Sequence, residues 1–138
     1  MKVETTKDFI LEAHRVACKE WKERIEKEFP ELVNKAIALA KGDKTNVIVV
    51  SIPDYAYTPF GQASGNLSTI STEIDQYNAF AKKYCDDNAI VFINITDITR
   101  QGLINKNLVA QDGLHPSELA YSLFVERILP KAATALNN

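Results

Sequence analysis

Asp112 and His115 are the residues whose types and spacing best suit chemistry, and they lie in the segment Gln-Asp-Gly-Leu-His-Pro-Ser at 111–117. An aspartate three residues ahead of a histidine, across a glycine turn, can place its carboxylate against the imidazole Nδ1–H. This contact fixes the tautomer and leaves Nε2 free to accept a proton from a nucleophile. Asp-Gly is also an ordinary turn dipeptide, and His-Pro-Ser can open a helix. The spacing alone is therefore compatible with a catalytic pair and with a plain turn.

Two short apolar runs predict the strands that position this pair. Residues 46–52 and 89–95 are rich in β-branched side chains without polar alternation, which is typical of strands buried on both faces of a parallel sheet. An apolar stripe between them predicts a helix, and its members are Ile70, Ile74, Tyr77, Ala81 and Tyr84. The strands end in loops at 53–68 and 96–115. Because ligands of open α/β sheets bind beyond such carboxyl ends, position favours the catalytic interpretation of the pair.

Helical periodicity precedes the first strand. Residues 1–28 have the pattern of an amphipathic helix, and a second helical stretch runs from Leu32 to a stop at Gly42. Pro30 lies between them, and proline is tolerated in the first turn of a helix. The pattern therefore leaves open one kinked helix or two.

The order helix, strand, helix, strand, helix predicts a single α/β domain over 1–138, with the last helix starting near Pro116 or Ser117. Residues 1–45 form its helical lead-in and residues 46–138 its strand–helix–strand–helix part. Since a stable sheet usually needs about three or more strands, two parallel strands are too few. We expect the sheet to be completed elsewhere.

Composition restricts the function classes. The 138 residues carry 16 Lys and Arg against 18 Asp and Glu, a net charge of −2 that argues against a nucleic-acid binder. No run of about 18 apolar residues predicts a membrane span, and the charged N-terminus lacks the apolar core of a signal peptide. The chain as it stands is expected to be cytoplasmic, or secreted if a leader belongs to a missing N-terminal part.

Cysteine and histidine usage indicates neither a metal site nor a cofactor. Cys18 and Cys85 both fall in predicted helices, where two buried reduced thiols are favoured over a disulfide. Neither lies in a CxxC pair, and the chain has only two histidines, which gives a zinc site little support. No Gly-rich phosphate loop joins a strand to a helix, so a flavodoxin-like nucleotide-binding module is disfavoured.

The segment Asp-Gly-Leu-His-Pro-Ser at 112–117 resembles the last sequence block of the SGNH (GDSL-type) hydrolases, which are serine esterases and lipases. In that block the aspartate and histidine are two members of the catalytic triad. Residues 47–60 are similar to the fourth strand and following loop of bacterial members, 73–78 to the next helix, and 92–96 to the fifth strand. The resemblance extends from roughly Phe29 to Lys131. It implies a three-layer α/β/α flavodoxin-like fold and a small ester substrate, such as an acylated sugar, a short-chain acyl ester or a lipid ester.

The other functional blocks of that family are absent from the sequence. Family members carry the nucleophilic serine in a Gly-Asp-Ser block on the first strand. Their oxyanion hole uses that serine's amide, a glycine after the second strand and an asparagine in a Gly-x-Asn block after the third. This chain has no glycine before Gly42. The resemblance therefore implies only the C-terminal half of the fold, which agrees with the small predicted sheet.

Ser64 is the candidate nucleophile within the chain, because it lies in Gly-Gln-Ala-Ser-Gly at 61–65 on the expected edge of the sheet. The segment is not G-x-S-x-G and no strand immediately precedes it, so an ordinary loop serine is the stronger interpretation. Ser51 is expected to hydrogen-bond locally, and Ser117 to cap the last helix.

Aromatic residues follow the first predicted strand. Tyr55, Tyr57 and Phe60 are candidates for lining an acyl or sugar pocket, with packing over the sheet edge as an equal alternative. In the second loop, Asp97 and Arg100 could form a local ion pair, to which we assign no chemistry.

The sequence is compatible with two functions. In the first, the chain is part of a serine esterase in which His115 takes the serine proton and Asp112 orients His115, while the nucleophile and oxyanion hole lie elsewhere. In the second, it is a non-catalytic truncated or engineered fragment that self-associates through its sheet edge. The expected partner is accordingly the missing N-terminal half or a second copy in a homodimer.

Overall fold

The computed structural model describes residues 6–136, apart from the side chains of residues 6–18, 21 and 136. The chain divides into two compact units, with the boundary between Lys35 and Ala36. The first unit covers most of the predicted helical lead-in. The organisation of residues 1–138 as one domain stays a prediction.

The described part of the first unit is helical. Helix α1 spans Thr6–Leu39 and continues through Pro30, so the two predicted stretches form one helix. Exposed ion pairs one turn apart line it; these are Lys19–Glu23, Lys22–Glu26 and Arg24–Glu28. Each such pair stabilises a helix by only about 0.2–0.5 kcal/mol. The side chain of Cys18 lies outside the described residues.

Helix α1 ends at Leu39, within the second unit. Lys41 and Gly42 both have positive φ, 58° and 83°, and the Gly42 N–H donates to the Ile37 carbonyl over 2.9 Å. This left-handed ending, which favours glycine, is the stop that the sequence predicts. A 3-10 turn at Lys44–Asn46 follows, capped by the Asp43 side chain. The turn takes up the start of the predicted strand.

A parallel pair of strands forms the sheet. Strand β1 spans Ile48–Val50 and β2 spans Val91–Ile93, paired in the register Ile48–Val91, Val49–Phe92 and Val50–Ile93. The predicted strands are confirmed at their centres. The expectation of burial on both faces is wrong, since Val50 is 40% exposed. Within the described residues each strand has one strand neighbour, so part of the sheet remains open to solvent.

Helices fill more of the loops than the sequence predicts. The predicted loop 53–68 contains a 3-10 turn at Tyr55–Tyr57 and helix α2 at Pro59–Ser64. The predicted loop 96–115 contains helix α4 at Thr96–Thr99 and a further 3-10 turn at Lys106–Leu108. These segments are too short for apolar periodicity to detect. Side-chain caps begin three of the four, for example Thr58 Oγ1, which accepts the Gly61 N–H. The helical elements that follow β1 are, in chain order, the 3-10 turn Tyr55–Tyr57, α2 Pro59–Ser64, α3 Leu67–Asp87, α4 Thr96–Thr99, the 3-10 turn Lys106–Leu108 and α5 Glu118–Leu136.

The buried side chains of the second unit lie between the sheet and its helices. The predicted stripe on α3 is confirmed at its buried positions, Ile70, Ile74 and Ala81. The main cluster joins the end of β2 to α4 and α5; its members are Ile93, Ile95, Ile98, Leu108, Ala120 and Phe124. The result is a helix-rich α/β arrangement with a two-strand parallel sheet, and the described residues do not form a complete flavodoxin-like sandwich. None of the helices described is long and apolar enough to cross a membrane.

The Ser51 hydroxyl ties the ends of the two strands together. Ser51 Oγ accepts the N–H groups of Ile95 at 2.8 Å and Thr96 at 3.2 Å, and it donates to Asn94 Oδ1 at 2.9 Å. Asn78 in α3 extends the network, since its Nδ2 donates to Thr96 Oγ1 at 3.0 Å. The expectation that Ser51 bonds locally is therefore wrong. Its partners lie more than forty residues away in the chain because parallel strands bring their carboxyl ends together.

We predict that Ser51→Ala lowers the free energy of unfolding by about 1–3 kcal/mol, because the buried Ile95 N–H loses its acceptor. The Thr96 N–H loses one of two acceptors and keeps Asn94 Oδ1 at 3.0 Å. Chemical denaturation followed by circular dichroism measures this change. Ser122→Ala is the matched control, since that hydroxyl is exposed and donates to Glu118 O within its own helix; its effect is expected to stay within about 0.5 kcal/mol. Equal losses in the two variants would contradict the role of Ser51.

Candidate active site

Asp112 organises the turn that carries His115. Its Oδ1 accepts the backbone N–H groups of Leu114 at 2.9 Å and His115 at 3.0 Å. Its Oδ2 lies 2.6 Å from His115 Nδ1. Gly113 has φ of 74°, the left-handed conformation that this turn requires and that glycine adopts readily. The structure therefore contains both the turn and the expected contact between the Asp112 carboxylate and the His115 imidazole.

Hydrogen bonds lower the pKa of the Asp112 carboxyl to about 2; the donors are the backbone N–H of Leu114, then that of His115 and then the imidazole. At neutral pH the carboxylate is therefore ionised and can only accept hydrogen bonds. Nδ1 of a neutral His115 accordingly carries the proton, which leaves the lone pair on Nε2. The side chain of His115 is 69% exposed, and Nε2 has no hydrogen-bond partner among the described residues. The imidazole side chain therefore faces solvent with one nitrogen oriented by a carboxylate, which is the arrangement that a general base requires.

Backbone hydrogen bonds anchor the turn at its base. Val109 and Pro116 form an isolated antiparallel bridge. The Ala110 N–H donates to the His115 carbonyl at 2.8 Å, and the Phe60 N–H of α2 donates to the Gly113 carbonyl at 3.0 Å. The turn is therefore held both by the segment before it and by the first turn of α2.

The helix that follows the turn is capped as predicted. Ser117 Oγ accepts the Ala120 N–H at 3.2 Å, and the Ser117 carbonyl accepts the Tyr121 N–H at 3.0 Å. The expected cap by Ser117 is confirmed. The pair thus lies directly before α5, on a segment fixed at both ends.

The three aromatic candidates do not share one pocket. Tyr55 lines a cavity of about 20 Å³ together with His115 and Leu114, which is room for about one water molecule. Phe60 is 56% exposed with its ring centroid 6.5 Å from that of Tyr55, and it is not part of the cavity wall. Tyr57 is half-buried, and the Arg100 guanidinium lies 6.0 Å from its ring centroid. Only Tyr55 therefore lies where the sequence places an aromatic pocket wall.

Ser64 lies at the end of α2, and its hydroxyl is engaged there. It donates to the Gly61 carbonyl at 2.6 Å and accepts the Asn66 N–H at 3.3 Å. Within the described residues, no serine hydroxyl is hydrogen-bonded to His115. The structure therefore does not bring Ser64 to the base.

The expected ion pair between Asp97 and Arg100 is wrong. Asp97 pairs with Arg127 in α5, whose guanidinium lies 2.6 Å from Oδ1 and lowers the pKa of the Asp97 carboxyl. Arg100 instead donates through Nε to Asp54 at 2.9 Å and through Nη2 to Asp75 at 2.8 Å. Asp54 has no solvent exposure and also lines the small cavity beside His115. Sequence reasoning missed Asp54, although an aspartate two residues after the end of a predicted strand was the available signal.

Metal and thiol chemistry find little support in the part of the chain described. It contains no cluster of His, Cys, Asp and Glu that could hold a metal ion. Cys85 is a free, fully buried thiol whose pKa is raised by burial. A buried thiol with a raised pKa is a poor nucleophile.

Comparison of the chain with known protein families, with curated proteins and with solved structures finds no match.

We predict that the amide resonances of Leu114 and His115 titrate together at acidic pH. The folded-state pKa of Asp112, about 2, lies below its ordinary value of 3.8. Its contribution to the turn is therefore fully present above pH 3.8 and is lost as the pH falls through about 2. Two-dimensional NMR spectra recorded from about pH 5 to about pH 1 measure the midpoint.

Asp112→Asn should abolish this titration, whereas Asp86→Asn, an exposed carboxylate on α3, should leave it unchanged. A midpoint for both amides at 3.8 or above would contradict the hydrogen bonding described for Asp112.

Proposed function

We propose that this chain contributes the C-terminal part of an SGNH-type serine esterase, with His115 as general base and Asp112 as the residue that orients it. The observation that carries the proposal is the 2.6 Å contact between Asp112 Oδ2 and His115 Nδ1, on an imidazole side chain that is 69% exposed. In this proposal the chain supplies two strands and their helices to a three-layer α/β/α flavodoxin-like sandwich. The parallel pairing of β1 with β2 and the position of the pair directly before α5 support it.

The reaction is an acyl transfer through a covalent intermediate. A serine hydroxyl attacks the ester carbonyl carbon while His115 Nε2 takes the hydroxyl proton, and the Asp112 carboxylate stabilises the imidazolium that forms. The tetrahedral intermediate collapses, its bond to the alcohol oxygen breaks, and Nε2 returns the proton to the leaving alcohol. Water then attacks the acyl-serine with the same base. The products are a carboxylic acid, the alcohol and the regenerated serine, and no cofactor takes part.

The nucleophile and the oxyanion hole come from outside this chain in the proposal. The engagement of Ser64 within α2 and the exposure of the His115 side chain are consistent with a serine supplied by another segment. A cavity of about 20 Å³ beside His115 is too small for an acyl chain, so the missing part also builds most of the substrate pocket. Because oxyanion stabilisation is usually the largest catalytic contribution, the isolated chain would be nearly inactive.

A non-catalytic, self-associating fragment is the second candidate function. The observation that favours it is apolar exposure at the end of β1, where Val50 is 40% and Ile52 is 42% exposed. In the described residues β1 pairs with β2 alone. An open strand edge is a template for pairing with another chain. In this candidate the Asp112–His115 contact only holds the turn.

We predict that a fluorophosphonate probe labels no serine in the isolated chain. Addition of the N-terminal half of an SGNH esterase, which carries the Gly-Asp-Ser, glycine and asparagine blocks, should produce labelling on the added serine. His115→Ala should slow this labelling by about 10³-fold or more, because the base is lost. His14→Ala, which removes the other histidine of the sequence, is the matched control and should leave the rate unchanged. Mass spectrometry locates the adduct.

The outcomes separate the two candidates. A folded complex of both halves that labels no serine would contradict the esterase proposal. Dimerisation of the chain at rising concentration in the ultracentrifuge, lost in Val50→Lys, would favour the self-associating fragment. If a serine of the isolated chain is labelled and the labelling disappears in His115→Ala, the esterase proposal would stand. The proposal that the nucleophile comes from outside this chain would then be wrong.

A further inference from the structure

A groove of about 340 Å³ lies between α3 and α4 at the carboxyl end of β2. Its walls include Asp75, Ala79, Lys82, Phe92, Asn94 and Arg100, and we call it the α3–α4 groove. Small-molecule sites usually have volumes of about 300–1,000 Å³. The cavity beside His115 is about 20 Å³ and shares no wall residue with the groove. The groove is therefore a separate space, large enough for a small molecule.

Each charged side chain on the groove wall already has an oppositely charged partner. These pairs are Asp75–Arg100, Lys82–Asp86 and Asp97–Arg127. A bare anion would lie against the carboxylates, and a metal cation would lie against the lysine and the guanidinium. Both arrangements cost Coulomb energy. The wall chemistry consequently suits a ligand without net charge.

The groove wall carries both hydrogen-bond donors and hydrogen-bond acceptors that other described residues do not use, and this combination favours a ligand with hydroxyl groups. Arg100 uses Nε and Nη2 for Asp54 and Asp75, and its Nη1 has no partner in the described chain. Asn94 Oδ1 accepts from Ser51 Oγ and from the Thr96 N–H, which fixes the amide so that its Nδ2 donor is unused by the residues described. Asp75 Oδ2 remains as an acceptor, since Arg100 takes Oδ1. Hydroxyl groups both donate and accept, and neighbouring hydroxyls can satisfy such a set.

An apolar surface completes the wall. Phe92 in β2 is half-buried, and the methyl group of Ala79 in α3 is exposed. The C–H face of a pyranose ring can pack against such a surface while its hydroxyls bond to polar groups. We infer that the α3–α4 groove is a binding site for a neutral carbohydrate, a mono- or disaccharide. This assignment is independent of the esterase proposal and requires no reaction at His115.

The test is an NMR titration of the ¹⁵N-labelled 138-residue chain with D-glucose, N-acetyl-D-glucosamine and maltose at millimolar concentrations. At least one sugar should give saturable shifts of the Asn94 side-chain amide and of backbone amides along the groove. The resonances of Leu114 and His115 should stay in place. Inorganic phosphate and glycine, titrated in the same way, report an anion site and a zwitterion site.

Paired variants locate the site. Ala79→Trp fills the groove from an exposed position and should weaken binding by about tenfold or more, whereas Gln76→Trp, on the same helix outside the wall, should not. Lys82→Ala should weaken binding by about threefold, the loss of one exposed hydrogen bond. Lys83→Ala is its control, because Lys82 and Lys83 make equivalent ion pairs with Asp86 and Asp87. The spectrum of each variant shows whether it is folded.

Three results would overturn the inference. The first is the absence of groove shifts with all three sugars, and the second is saturation of the groove by phosphate or glycine in their place. The third is equal sugar affinity in folded Ala79→Trp and Gln76→Trp.

Discussion

Asp54 has no solvent exposure, and a carboxylate buried without a partner is strongly destabilising. Arg100 Nε at 2.9 Å and the Ala56 N–H at 3.0 Å compensate this charge, and the Thr99 hydroxyl holds the Asp54 N–H. The same guanidinium reaches Asp75 in α3. One buried charge therefore connects the turn after β1, the end of helix α4 and helix α3 to one another.

The ion pair between Asp54 and Arg100 separates two spaces with different chemistry. On the Asp54 side lies the small cavity beside His115, and on the Arg100 side lies the α3–α4 groove. The 3-10 turn Tyr55–Tyr57, which follows Asp54, is held by close backbone packing. A Cβ atom at Gly61 would collide with the Tyr55 carbonyl, and a Cβ atom at Gly102 would collide with the Tyr57 carbonyl. The turn then leads into α2, whose Phe60 N–H holds the Gly113 carbonyl. The turn with the candidate catalytic pair is thus connected to the buried charge through α2.

Asp112 combines a structural and a chemical task. Its Oδ1 closes the turn by accepting two backbone N–H groups, while its Oδ2 accepts from His115 Nδ1. The interactions that make the turn also keep the carboxylate ionised, and an ionised carboxylate determines which imidazole nitrogen carries the proton. The local fold and the proposed basicity of Nε2 therefore have one origin. This is why short-range spacing was sufficient to predict the contact.

The sequence by itself determined what depends on neighbours in the chain. The β-branched runs gave the centres of β1 and β2, the apolar stripe gave the buried face of α3, and the spacing of Asp112 and His115 gave their contact. Only the tertiary structure decided which distant groups pair. Asp97 binds Arg127 rather than Arg100, and Ser51 bonds to residues beyond β2. Burial and charge neutralisation depend on what the folded chain brings together across many residues, and periodicity and spacing carry no information about that.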